Sequence, residues 1–446
     1  MFLKKYKIVL YTTFISLVFF SGCSSIDNTG ANTVNEDNGF VSAEVIDDIN
    51  TSTMLSVVKA TIDPSSTNAF GYKAVKIVYK TQDISGNDIN ASGLLVIPTA
   101  SEAYKQYLAS LGKAFSISMI CDNHGTIFTD AEAPSNVEVT NGLPDYAQAV
   151  LMSGYAGFAS VLPDYVGYGS SNSSAHPYLI KEISAQNSLD MIKASIKYME
   201  DNGVLLNYQL YVSGYSQGGH VAMSLAEKIE KNGFDMIDLK GVAPMAGPHD
   251  VEALANIELN ASRTMLYPAF LGYLADSYSY TYDDLNINDM VNFPDANVYH
   301  SLFNGSYINV AIHVALGLAD GVTDYGFGTH TANELFKDSF INDYQNNLNS
   351  AIRQRFIENK SYNNWTPNTK INLVHCLDDE IIPFSQSQNA FSALNVTGAD
   401  VTLSPIPTAI LSQQVDASNP FVHANCALEA YGAALLWFDA IRQGQI

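Results

Sequence analysis

The chain has 446 residues, 47% of them hydrophobic and 11% aromatic, enough to bury a large core in one elaborated domain or in two. Its 22 basic and 45 acidic residues leave a net charge of −23. A surface that negative repels nucleic acid and favours neutral or cationic small molecules over anionic ones.

Along the chain, Lys4, Lys5 and Lys7 form a basic start, followed by an apolar run from Ile8 to Phe20 that is too short to span a bilayer and suits a signal sequence. Phe20-Ser21-Gly22-Cys23-Ser24 is similar to a bacterial lipobox, in which the cysteine is acylated and becomes the mature N-terminus. The expectation is a signal peptide over residues 1–22, lipidation at Cys23 and a membrane partner reached through that lipid anchor, with the protein exported to the bacterial cell envelope. Residues 23–50, rich in Ser, Asn, Asp, Gly and Thr, read as a flexible tether.

The body alternates strands and helices. Tyr72–Gln82 and Asn90–Ile97 read as an antiparallel pair joined by Ser85-Gly86-Asn87-Asp88. Strands follow at Ala114–Ile120 and Gly157–Leu162, with a helical stretch from Asp145 to Gly154 between them. A long helix over Leu179–Glu200 has Leu189, Ile192, Ile196 and Met199 on one face. Further strands are predicted at Tyr208–Ser213, Leu239–Met245, Lys370–Val374 and Val401–Pro405, and a closing helix at Asn425–Arg442. This alternation predicts a mostly parallel α/β sheet flanked by helices. From Pro248 to about Trp365 the strand pattern lapses and aromatics accumulate, among them Tyr267, Phe270, Tyr273 and Tyr278. Residues 249–365 therefore read as a helical cap or lid inserted into a core made of residues 51–248 and 366–446.

Gly214-Tyr215-Ser216-Gln217-Gly218 reads G-x-S-x-G between a predicted strand and a predicted helix, the context of a nucleophile elbow. Gly214 and Gly218 are needed because strand and helix pass too close there for larger side chains. A serine hydroxyl is a weak nucleophile without a base, and in this architecture the partners follow in the order Ser, acid, His. Of nine histidines only His423 lies beyond the C-terminal strands, in a stretch read as a loop before the last helix. Chain order rules against His124, His220 and His375. The acid is expected after the strand at Lys370–Val374, where aligning His375 and Pro383 with H-G-x-x-D-x-x-V-P selects Asp379, with Asp378 the alternative and Cys376 in place of the usual glycine. The oxyanion hole is expected from the backbone N–H groups of Gln217 and of Thr126 in Asn123-His124-Gly125-Thr126. With Cys23 acylated, Cys121, Cys376 and Cys426 allow at most one disulfide, and Cys376–Cys426 is one possibility because both lie close in sequence to the acid and the base. No metal or organic cofactor is implied.

The stretches Asn123-His124-Gly125-Thr126, Leu162 to Gly169, His176-Pro177-Tyr178, Gly214 to His220 and Ala246-Gly247-Pro248 resemble the α/β-hydrolase superfamily, and within it the secreted bacterial esterases and lipases related to the fungal secretory lipases. The resemblance runs from about Tyr72 to the C-terminus. It implies an α/β-hydrolase fold and ester hydrolysis through an acyl-enzyme, acting on a small-molecule ester or lipid, with Asp164 and Tyr165 in structural roles. A serine peptidase or amidase would use the same triad, and a non-catalytic surface-binding lipoprotein is the reading from another class.

Overall fold

The structure, a computed structural model, describes residues 39–446 apart from 62–63, 137–138, 141–142, 145–146, 235, 261–263, 266, 320–329, 413–414 and 416–420. The expected signal peptide and Cys23 lie outside the described residues.

Nine strands form one sheet: β1 (Phe40–Ile49), β2 (Gly71–Gln82), β3 (Asp88–Thr99), β4 (Ile117–Asn123), β5 (Ala159–Pro163), β6 (Leu206–Tyr215), β7 (Asp238–Met245), β8 (Lys370–Cys376) and β9 (Val401–Ile406). Their spatial order is β1-β2-β3-β5-β4-β6-β7-β8-β9. Pairing is antiparallel from β1 to β5 and parallel from there to β9. The central strands β4 and β6 are almost wholly buried, as befits parallel strands covered on both faces.

Three helices fix the layers. Helix α1 (Lys181–Asp201) and helix α2 (Gln217–Asn232) pack on one face through Leu189, Ile192, Met223 and Leu225, in a core shared with Val75, Val161 and Val212. The closing helix, Val422–Arg442, covers the other face with Cys426, Ala430, Ala434 and Phe438 against Ile120, Tyr211 and Val374.

The tether expected over residues 23–50 is corrected at its C-terminal end. Residues 40–49 are an edge strand whose register runs from Phe40 opposite Tyr79 to Ile49 opposite Tyr72. Backbone hydrogen bonds hold it, and its largely exposed face explains the polar composition that reads as a linker.

Between β7 and β8 the described residues add no strand to this sheet. They form helices such as Val251–Glu258, Pro268–Thr281, Asp338–Asn346 and Ala351–Glu358. These build their own apolar cluster around Tyr273, Tyr278, Tyr299 and Phe356, which continues into Phe128, Tyr178 and Leu179 of the sheet domain. Among the described residues no helix is long and apolar enough to cross a membrane.

Candidate active site

The site begins where β6 turns into α2. Ser216 stands at that turn with φ 59° and ψ −121°, a conformation a β-branched or bulky residue avoids and one that pushes the side chain out of the sheet. Its N–H donates to Met245 O at 2.9 Å, tying the turn to the end of β7. A Cβ on Gly214 would fall 2.2 Å from Gly218 O, and one on Gly218 would fall 1.8 Å from Asn123 O. Both glycines of the motif are therefore required by sterics. Ser216 and Gln217 line an open cleft together with Thr126, Tyr178, Leu254, Tyr267, Phe270, Leu271, Leu274 and Glu380.

The loop after β4 lies against the elbow. Asn123 pairs with Gly214 in the β4–β6 register. The Asn123 amide donates to Ser213 O at 2.9 Å, and its oxygen accepts from Ser188 Oγ at 2.8 Å. A Cβ on Gly125 would touch Ser216 Cβ at 3.6 Å, so the loop passes directly over the serine and carries Thr126 into the cleft. Among the described residues, neither the Thr126 N–H nor the Gln217 N–H has an acceptor. For Gln217 this follows from its place in the first turn of a helix. The two residues of the Leu162–Gly169 stretch expected to be structural brace this loop. The buried Asp164 carboxylate accepts from Ser92 Oγ and Ser135 N at 2.6 and 2.8 Å, and Tyr165, at φ 66°, donates its hydroxyl to His124 O at 3.1 Å.

His176 supports the same turn, a role that spacing along the chain does not reveal. Its Nδ1–H donates to Val166 O at 2.8 Å, because a carbonyl can only accept. Nε2 is then the acceptor for the Gln217 side-chain amide at 2.9 Å. Burial pushes this imidazole down to about 3, so it stays neutral and keeps that tautomer.

Asp379 and His423 meet although 44 residues separate them: Nδ1–H of His423 donates to Asp379 Oδ2 at 2.6 Å. The other oxygen of Asp379 accepts the N–H groups of Ile381 and Ile382 at 3.0 and 2.8 Å. His375 Nε2, which donates to Ile382 O at 2.8 Å, lies 3.4 Å from Asp379 Oδ2. Burial alone would raise the Asp379 carboxyl. The nearby His423 and the hydrogen bonds from both histidines outweigh it and hold the carboxyl well below the usual range. Asp378, by contrast, is exposed and bonded by Thr408 Oγ1. His220, next to the elbow, is buried with Nε2–H donated to Asn359 O at 2.7 Å, and burial pushes it down to about 4.

His423 lies in the first turn of the closing helix, not in a loop before it. Its backbone is held at both ends. Tyr215 Oη–H donates to His423 O at 2.7 Å, and His423 N–H donates to Glu380 Oε2 at 3.1 Å. Tyr215 is the residue before Ser216, which sets the imidazole beside the elbow. One turn further on, Cys426 is disulfide-bonded to Cys376 at the end of β8, with Cα atoms 6.2 Å apart. The bond fastens the helix that carries His423 to the strand leading to Asp379; closing a loop of 50 residues stabilises a fold by about 4 kcal/mol on chain-entropy grounds. Cys121 is a free, buried thiol that burial pushes well above the ordinary thiol range. Among the described residues, no three His, Cys, Asp or Glu side chains are grouped so as to hold a metal ion.

Residues 146–280 match the family described as Secretory lipase. No curated protein matches the chain in sequence. Among solved structures, the chain is similar to a ligand-bound form of the rice cell wall degrading esterase LipA from Xanthomonas oryzae, at 20% identity and a TM-score of 0.73, with 91% of this chain and 98% of that one covered. A candidate hydrolase from Legionella pneumophila matches at 20% identity and 0.72, covering 90% and 98%. Candida antarctica lipase A in its closed state matches at 14% identity and 0.58, covering 92% and 83%. The likeness to these structures is one of fold, an α/β architecture with a largely parallel central sheet flanked by helices.

Proposed function

We propose, for a chain that resembles the secretory lipases over residues 146–280 and has the fold of the α/β-hydrolases, a serine hydrolase that cleaves carboxylic esters. The observation that carries this reading is the strained Ser216 in a cleft beside an imidazole whose Nδ1–H is committed to a buried carboxylate at 2.6 Å. With Nδ1 so occupied, Nε2 of neutral His423 is the free acceptor.

In this reading Ser216 Oγ attacks the ester carbonyl carbon while its proton passes to His423 Nε2. The N–H groups of Gln217 and Thr126 hold the oxyanion, each contributing about 10²–10³ in rate. The carbon–oxygen bond to the alcohol breaks, and His423 returns its proton to the departing oxygen. Water then attacks the acyl-serine, gives one proton to His423, and releases the acid as that proton goes back to Ser216 Oγ. Leu254, Phe270, Leu271 and Leu274 give the cleft an apolar side suited to an acyl chain. Residues 249–365, which supply these side chains, act as the cap over the site.

A fluorophosphonate probe tests the assignment. The expected result is a covalent adduct on the peptide bearing Ser216, with p-nitrophenyl butyrate turnover falling in step with labelling. Undiminished turnover after full labelling of Ser216 would sink it. A matched butyranilide run beside the ester separates an esterase from an amidase.

The sequence also supports export and acylation at Cys23. Radiolabelled palmitate is expected to enter the protein in bacterial cells and to be absent from Cys23→Ser; label retained in that variant would overturn the anchor.

A further inference from the structure

The residue after the proposed acid has a carboxylate with one oxygen committed and one uncommitted. Glu380 shares the cleft with Ser216 and Gln217. Its Oε2 accepts the backbone N–H of His423 at 3.1 Å. The closing helix needs this contact. Phe421 at its N-cap offers no side-chain acceptor, and its first turn contains no acidic residue. Glu380 supplies the missing cap from 43 residues away, next to the positive end of a 21-residue helix.

That bond holds Oε2 at the helix terminus and leaves Oε1 as the second oxygen of the carboxylate. This oxygen is buried and has no hydrogen-bond partner among the described residues. Among the described residues, the side chains lining the cleft include no Lys, Arg or His that would serve it. A buried carboxylate oxygen without a donor is costly, and the cost falls on the free protein unless something entering the cleft brings a donor. Burial raises this carboxyl above the usual glutamate range, against the lowering effect of the backbone N–H groups of Glu380 itself and of His423.

We infer that Glu380 determines specificity by accepting a hydrogen bond from the alcohol half of the ester, so that esters of hydroxylated alcohols are preferred over esters of plain alkanols. The inference rests on the reading of Ser216 as nucleophile and His423 as base. In that reading His423 hands its proton to the departing alcohol oxygen, so a group bonded to the His423 backbone flanks the alcohol half. The acyl half is left to the apolar side made by Phe270, Leu271 and Leu274. An anionic substituent on the alcohol would meet Glu380 and is disfavoured for the same reason.

The test compares 2-hydroxyethyl butyrate with propyl butyrate, which differ by a terminal hydroxyl in place of a methyl group. The wild-type protein is expected to show a kcat/KM ratio of about 10 to 100 in favour of the hydroxyl, the range of one hydrogen bond to a charged acceptor. In Glu380→Gln the amide oxygen still accepts from His423 N–H while an NH₂ group takes the place of Oε1. The ratio should fall several-fold, because the substrate hydroxyl then meets a neutral amide donor in place of a charged acceptor. Because the ratio is taken within each protein, a general loss of rate from a displaced His423 cancels. Butyrylcholine, a cation without a donor, separates charge from hydrogen bonding. Equal wild-type kcat/KM for the hydroxylated and alkyl esters overturns the inference while leaving the esterase reading intact. So does a preference for butyrylcholine alone, or a wild-type ratio unchanged in Glu380→Gln. No turnover of any ester by the wild-type protein overturns the esterase reading, and this inference with it.

Discussion

Asp379→Asn is expected to lower kcat by about 10⁴ on any ester the protein cleaves, and to lower the thermal melt at neutral pH, where the wild-type carboxylate contributes its full stability. The size of the loss follows from the number of donors that converge on this carboxylate. Oδ1 accepts from two backbone N–H groups, and Oδ2 accepts Nδ1–H of His423 and faces Nε2 of His375. An asparagine has a single acceptor oxygen. If that oxygen stays with Ile381 and Ile382, the NH₂ group points at His423 Nδ1, and the imidazole must place its proton on Nε2. In that tautomer it cannot take a proton from Ser216. Asp378→Asn, on an exposed side chain, is expected to stay within a few-fold of wild type. The reverse pattern would reassign the acid to Asp378. Ser216→Ala is expected to cost at least as much as Asp379→Asn, and the double variant no more than Ser216→Ala alone, because in the proposed mechanism Ser216, His423 and Asp379 act as one unit.

The same carboxylate gives a signed pH dependence of stability. Its pKa in the folded protein lies below the usual range, so the stability it contributes is fully present above the unfolded value of about 3.9 and is lost as pH falls through the folded value. Acid unfolding of the wild type is therefore steeper below pH 4 than that of Asp379→Asn. The carboxylate remains charged throughout the working range, so the acid limb of a pH–rate profile does not report Asp379.

How much of this was legible in the sequence depended on whether a feature is local. The elbow is local: two glycines flanking a serine at fixed offsets, between an apolar strand and a helix, state a steric requirement that any reader of the chain can apply. Asp379 and His423 came from chain order and from a short pattern around His375 and Pro383, and the structure brings the two together. Glu380 could not be found that way. Its contact with His423 spans 43 residues, and beside Asp378 and Asp379 it looks like one more solvated loop charge. His176 was visible as part of a motif, but its bond to Gln217 depends on how the loop after β5 folds back over the elbow. Strand β1 reads as a linker because an edge strand is held by backbone hydrogen bonds and needs no continuous apolar run. The Cys376–Cys426 pairing stayed one possibility among several because cysteine spacing does not specify connectivity.

Gly218→Ala is expected to remove soluble, folded protein altogether, and the contrast with Gly432→Ala shows why. At Gly218 an added methyl group would lie 1.8 Å from Asn123 O, 2.6 Å from Asn123 C and 2.9 Å from His124 O. All three are backbone atoms at the end of β4, a central strand, so no side chain can rotate away. The end of β4 would have to separate from α2, breaking its pairing with β6 and carrying Thr126 away from Ser216. Overpacking a core costs about 1–3 kcal/mol where side chains can yield, and a larger loss follows where only backbone is available. Gly432 is also helical, in the middle of the closing helix, but it is exposed and a methyl group there meets nothing within 4 Å. Alanine at that position recovers the helix propensity that glycine lacks, about 1 kcal/mol. Soluble yield and thermal melts of the two variants, prepared side by side, check the argument. A Gly218→Ala protein that melts like the wild type would mean that α2 and β4 are not packed as closely as the elbow requires, and the steric account of the G-x-S-x-G motif in this chain would have to be abandoned.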